Sequence, residues 1–277
     1  MLPMSFIAVL VLGLAVLLLM TVYAAVGPVP RRRVEEFARL HSLRVTVGNG
    51  NQIIAYRATT RRWRAAGFTV GVLATFHTSG SYGLEFQWAL AGWFAGAAVA
   101  ELRVAHLDRG PRTSASLASR RAADYLPWAG RWALPAAMVL CVLTAAFCFA
   151  RRGSHSEGDI RAMTLWTVFG LGVGAVALAA QRHVLRRPQP LAEPDRMAAD
   201  DAIRSRSLHV LAAAGMVLVG SCVASQLVAA DVLLHNRETG IFEALFAVGF
   251  PILGRILAYW PSPPRGSVSG PAAPEAA

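Results

Sequence analysis

Seven charge-poor stretches alternate with arginine-rich connectors along this chain, and all 27 of its basic residues are Arg. A helix needs about 20 apolar residues to cross ~30 Å of hydrocarbon, and several of the stretches reach that length. The alternation predicts an all-α fold, a polytopic transmembrane helix bundle of about seven spans. Charged residues make up 16% of the chain and hydrophobic residues 55%, whereas an ordinary soluble domain carries about 25% charged residues. The net charge of +11 would suggest nucleic acid in a soluble protein. Here the arginines sit between spans, with no recognition motif and no sizeable soluble module. Membrane lipids and retention of positive charge on the inner side account for them, and no nucleic-acid partner is expected. Arg without Lys, beside abundant Ala, fits coding bias in a GC-rich bacterial genome. Cys141, Cys148 and Cys222 lie within apolar runs as small hydrophobes, and three cysteines without C-x-x-C spacing provide neither a disulfide framework nor a zinc site.

The spans read as about 5–26, 66–81, 84–100, 132–150, 162–181, 208–230 and 241–260. The first has its positive charge after the apolar run, at Arg31, Arg32 and Arg33, which predicts an uncleaved anchor with its N-terminus outside. Between Arg64 and Arg103 the only charges are Glu85 and Glu101, and the turn formers Thr78 to Gly83 stand in the middle, so this stretch is expected to fold back as two spans. Arginine counting selects that reading. With the fold-back, connectors on the inner side hold nine, six, six and two arginines, and the outer side holds four: Arg151, Arg152, Arg161 and Arg237. A single crossing would divide them 13 to 14, which the positive-inside rule disfavours. The C-terminus is then inside.

The first inner connector, 31–64, predicts an amphipathic helix with Val34, Phe37 and Leu40 on one face. A small β-hairpin is expected next, its strands 43–47 and 52–56 flanking Gly48-Asn49-Gly50-Asn51, because Gly and Asn accept positive φ in a turn. The hairpin would cap the bundle or dock a partner. In the later connectors, Gly110-Pro111-Arg112 precedes Ala122-Ala123-Asp124, and Arg187-Pro188-Gln189 precedes Ala198-Ala199-Asp200. This is either a parallel repeat or the shared bias of Ala, Arg and Pro linkers. Thr113 or Ser114 can cap one connector helix and Pro194, beside Asp195, suits the start of another. Ala198 to Arg206 is expected on the inner membrane surface. Residues 261–277, rich in Pro, Ser, Gly and Ala, read as a disordered tail.

Ionisable and polar groups inside spans are candidate functional residues. His77, Glu85 and Gln87 surround the outer turn, and Gln226 lies in the outer half of its span with Ser221 and Ser225. Together His77, Glu85, Gln87 and Gln226 form a candidate polar pathway, the alternative being interhelical hydrogen bonds. Glu243 and Arg255 fall at span ends and suit anchoring. His155, Glu157 and Asp159 in one outer loop, with Asp231, His235 and Glu238 in another, offer imidazoles and carboxylates without a fixed ligand spacing. Candidate lipid-headgroup contacts are Arg31, Arg32, Arg33, Arg61, Arg62, Arg64, Arg120, Arg121, Arg186 and Arg187. The sequence contains no Walker A loop, H-E-x-x-H, G-x-S-x-G or G-x-G-x-x-G nucleotide motif. Gly170, Gly172 and Gly174 suit helix packing. No catalytic residue and no cofactor is nominated.

Arg57 to Arg64, Ala122 to Pro127, Arg186 to Pro190 and Ala199 to Arg204 resemble the inner connectors of uncharacterised multi-pass membrane proteins of actinobacteria. The resemblance covers most of the chain and implies location and architecture only. The expectation is an integral protein of the bacterial cytoplasmic membrane, non-enzymatic, an accessory or permease-like subunit acting through membrane or cytoplasmic partner subunits. A transporter of a small solute or ion is the alternative, and an intramembrane enzyme the third.

Overall fold

A computed structural model describes residues 25–78, 86–107, 121–150, 157–187, 194–229 and 239–260, with 19 and 21–23 ahead of them. The helices among them are α1 (Arg31–Leu40), α2 (Val47–Thr78), α3 (Phe86–Leu107), α4 (Ala122–Tyr125), α5 (Trp128–Ala150), α6 (Glu157–Arg186), α7 (Pro194–Ala229) and α8 (Thr239–Ala258). No strand occurs among the described residues.

The bundle is built around α7, which packs against α2, α3, α5, α6 and α8. Its run from Ala202 to Val217 is buried without interruption. Helix α7 begins at Pro194 with Asp195 in its first turn, and fixed φ plus negative charge suit a helix start. Phe94, Leu134, Ala137, Cys141, Val217 and Leu257 belong to one apolar core around it. Helices α5 and α6 behave differently. Trp132, Val139 and Leu143 of α5, and Leu165, Val168, Phe169 and Val176 of α6, remain exposed. An apolar outer face on helices this apolar matches hydrocarbon, not water.

Among the described residues three helices are long and apolar enough to cross a membrane: Trp128–Ala150, Ile160–Arg186 and Pro194–Ala229. That is fewer than the seven expected. Helix α2 carries Arg57, Arg61, Arg62 and Arg64 ahead of a short apolar run from Ala65, and α3 ends its apolar run at Glu101. Most of 5–26 lies outside the described residues, and Val248–Ala258 of α8 is apolar but shorter.

The chain does fold back between α2 and α3, through backbone contact. A Cβ on Gly67 would lie 2.7 Å from the Gly96 Cα and would collide with the Gly92 carbonyl. Gly71 meets Trp88 and Gly92, and Gly96 meets the Trp63 carbonyl. The opposed numbering makes the pair antiparallel, and four glycines let the axes approach so closely. The turn from 79 to 85 lies outside the described residues.

The expected β-hairpin is absent, and residues 47–56 are the first turns of α2. Asn49 accounts for the change. Its Oδ1 accepts from the Thr46 backbone N–H at 2.9 Å, and its Nδ2 donates to the Arg44 carbonyl at 2.8 Å. This is the return half of a capping box, satisfying the donor just ahead of the helix. Asn49, Ile53, Tyr56 and Thr60, all buried, then fall on one face at helical spacing. Ile53 and Tyr56 join Val34 and Phe37 of α1, Val104 of α3 and Ala199, Ala202 and Ile203 of α7 in an apolar cap at this end. Helix α1 is amphipathic as expected, with Ala38 completing the buried face in place of Leu40.

The two connectors that read as a repeat differ in structure. Ala122–Tyr125 is a four-residue helix stopped before Pro127, which disfavours helix in the residue ahead of it. Ala198 to Asp200 lies inside continuous α7. Residues 199–206 are mostly buried in the bundle and do not lie on its surface, because neighbouring helices pack around α7. Residues 108–120 and the tail 261–277 lie outside the described residues.

Candidate functional site: an arginine-walled cavity

Four residues of α2, Arg57, Arg61, Arg64 and Phe68, recur at intervals of four, three and four, so one helical stripe runs from basic to apolar. That stripe forms a wall of a cavity of about 480 Å³. Arg33 of α1, Trp93 of α3, Tyr259 beyond α8 and Thr21 with Val29 and Pro30 complete the lining, which is open on one side. Among the described residues no acidic side chain lines it.

The guanidiniums are held in three ways. Arg61 donates to the carbonyls of Pro28 at 3.1 Å and Ala25 at 3.4 Å, and to that of Gly27. It therefore holds the end of the segment preceding α1, where helix carbonyls lack partners. Arg64 lies with its Cζ 5.0 Å from the Trp93 ring centroid, a cation–π contact that leaves its hydrogen-bond donors free. The Nε atoms of both Arg61 and Arg64 are buried without an acceptor. Burial first, then the charges of Arg206 and Arg64, hold the Arg57 guanidinium below its ordinary pKa against the opposing influence of Tyr259 and Tyr56. Tyr259 adds a ring 4.1 Å from the Arg206 Cζ and 5.5 Å from that of Arg255.

Beside the cavity a fully buried carboxylate joins three helices. Glu101 of α3 accepts from the Tyr56 hydroxyl of α2 at 2.9 Å and from the Ser207 hydroxyl of α7 at 2.6 Å, with Arg64 and Arg206 near enough to act on it electrostatically. Both carboxylate oxygens are thereby occupied, as a buried charge requires. His41, at the end of α1, is buried against the same positive field. Burial first, then Arg206, His209 and Arg57, bring its pKa from 6.5 down to about 4.

A second buried cluster fastens α6 to α7. Asp200 pairs with Arg187, and with Arg204 at 3.0 Å, its own side chain fully enclosed. Arg204 also donates to the carbonyls of Arg187 at 2.9 Å and Leu185 at 3.4 Å, capping the last turn of α6.

The residues singled out by sequence are dispersed. Arg61 and Arg64 line the cavity, Arg33 joins them from α1, and Arg31 ion-pairs with Glu35 at 2.7 Å on the exposed side of that helix. Arg32, Arg62, Arg121 and Arg186 are exposed, whereas Arg187, read as a headgroup contact, is enclosed with Asp200. Arg120 lies outside the described residues. Of the polar pathway, Gln226 is fully buried and donates to the Thr167 hydroxyl at 2.7 Å and towards Cys141 Sγ at 3.3 Å. It ties α5, α6 and α7 together within the packed core. His77 and Gln87 fall within α2 and α3, and Glu85 lies outside the described residues. Glu157 and Asp159 form the first turn of α6, and His155, Asp231, His235 and Glu238 lie outside the described residues. Among the described residues no group of three metal-ligating side chains converges.

Sequence reasoning missed Arg57, Trp93 and Tyr259 in the cavity wall and the Tyr56, Glu101 and Ser207 network. The stripe from Arg57 to Phe68 was readable as a helical face once 47–56 is helix. The convergence of α3, α7 and α8 on it is tertiary and leaves no local signature. Comparison with protein-family models, with curated proteins and with solved structures found no match for this chain.

Proposed function

We propose that the protein is an integral component of a bacterial cytoplasmic membrane, with its N-terminus outside and C-terminus inside, that crosses about seven times and binds an anion at its inner end. It acts as a non-enzymatic accessory or permease-like subunit through partners. The observation that carries the binding role is the cavity, in which Arg33, Arg57, Arg61 and Arg64 converge with no acid among the described lining residues. Like charges grouped on one wall repel unless counter-charge sits among them, and planar N–H forks suit phosphate or carboxylate. The apolar outer faces of α5 and α6 support the membrane setting.

A packed middle favours binding over transport. Gln226 donates from Nε2 to the Thr167 hydroxyl and towards Cys141 Sγ within the core, its buried Oε1 having no partner there, and the space near Ser221 and Ser225 is about 30 Å³, on the scale of a water molecule. Glu101 is committed to Tyr56 and Ser207, which favours a structural carboxylate over an acid–base catalyst. The test is purification in a neutral detergent, with phosphorus analysis of what stays bound. The wild type should retain phosphorus-containing anion and the double variant Arg57→Gln/Arg64→Gln should lose it. Equal retention by both, or solute uptake by reconstituted vesicles, contradicts the reading.

A further inference from the structure

We infer that the anion held in the cavity is the phosphate of an anionic phospholipid, with its acyl region lying along Phe68 and Trp93. The inference rests on the anion-binding reading above and names its ligand. Three observations carry it. The cavity, about 480 Å³, falls in the ~300–1,000 Å³ range of ligand sites. It is chemically two-ended: Arg57, Arg61 and Arg64 occupy the earlier part of the α2 stripe, and Ala65 and Phe68 the next turn. A free inorganic anion would use only the first end, whereas an amphiphile uses both. The buried Nε donors of Arg61 and Arg64 also lack acceptors, and phosphate oxygens satisfy guanidinium donors in paired, charge-assisted hydrogen bonds.

The stripe lies where the sequence changes from basic connector to apolar span. Headgroups of the inner leaflet meet protein at this level, and polybasic segments there attract anionic lipid. The Trp93 ring faces the Arg64 guanidinium, so the aromatic and cationic recognition elements are adjacent.

The experiment uses full-length protein in a neutral, phosphate-free detergent, with three separate additions: dioleoyl phosphatidylglycerol, dioleoyl phosphatidylcholine, and inorganic phosphate. Phosphatidylglycerol is expected to raise the thermal midpoint by about 5 °C at saturation, with much smaller shifts from the other two. Arg57→Gln/Arg64→Gln should weaken phosphatidylglycerol binding at least tenfold, while Arg131→Gln, exposed on α5 and outside the cavity wall, should leave it unchanged. A shift with inorganic phosphate equal to that with phosphatidylglycerol overturns the lipid assignment and keeps the anion site. No response to any addition overturns both. Quenching of tryptophan fluorescence by phosphatidylglycerol with brominated acyl chains gives a readout independent of how the arginine variants fold. The wild type should lose more emission than Trp93→Phe; equal losses would place the lipid elsewhere and overturn the inference.

Discussion

Asp200 shows how much a single carboxylate holds. It faces Arg187 and Arg204, and Arg204 in turn closes the last carbonyls of α6. Removing one partner of a buried ion pair costs about 3–5 kcal/mol, because the remaining charge is still buried. Asp200→Asn should therefore lower the thermal midpoint far more than Asp195→Asn in the exposed first turn of the same helix; equal effects would show that the cluster is not enclosed. The pairing of residue 200 with 187 was not readable from sequence. Both lie in an Arg-rich connector, where each guanidinium looks like a headgroup ligand until the central position of α7 is known.

His41 makes a prediction about pH. Burial beside Arg206, His209 and Arg57 brings its pKa down from 6.5 to about 4, so the native chain accepts only the neutral ring over that interval. As pH falls below 6.5 the unfolded chain takes the proton first, and the native chain follows only near 4. Its contribution to stability is full above pH 6.5 and is lost progressively down to pH 4. At about 1.4 kcal/mol per pH unit the loss is at most ~3.5 kcal/mol. Unfolding midpoints measured from pH 7 to 4 should fall less steeply in His41→Gln than in the wild type. Identical slopes would show that the ring is not buried against this field.

Among the elements, the α2–α3 pair depends most on residue size. Gly67 and Gly92 meet backbone to backbone, and backbone cannot yield as a flexible side chain does. Gly67→Leu should separate the helices at a cost upwards of ~3 kcal/mol, read as a lower midpoint and loss of monodisperse protein. Gly172 has nothing within 4 Å of its added Cβ, so Gly172→Ala should be neutral or slightly stabilising, by up to ~1 kcal/mol. A tolerated Gly67→Leu would contradict the close pairing. The apolar cores of the long helices were legible because hydrocarbon and core both select runs without charge. The fold-back was legible from arginine placement, but its glycine contacts were not singled out. The start of α2 was misread because Gly48-Asn49-Gly50-Asn51 has turn composition. Its helical face mixes Asn49 and Thr60 with Ile53 and Tyr56, and so shows no clear apolar period.

Across the whole molecule, the arginine-rich ends gather on one side. Tyr56 of α2, Glu101 of α3 and Ser207 of α7 meet there. Arg103 lies over Trp63 at 5.4 Å, Arg196 donates to the Gly48 carbonyl at 3.2 Å, and the end of α6 is bound to α7 through Asp200. The apolar outer faces on α5 and α6 suit a membrane, and the proposed topology turns the arginines of this end towards the cytoplasm. The sequence located this end through charge. It did not reveal the cavity, because a stripe of arginines facing inward and one facing headgroups have the same spacing.

The orientation of that end is the central claim, and cysteine accessibility tests it most directly. In a chain with Cys141, Cys148 and Cys222 replaced, a single cysteine is introduced by Ser81→Cys or by Ser114→Cys, and intact cells are treated with a membrane-impermeant maleimide. The account predicts labelling at position 81 and protection at 114 until the membrane is permeabilised. Labelling at 114 with protection at 81 would contradict it.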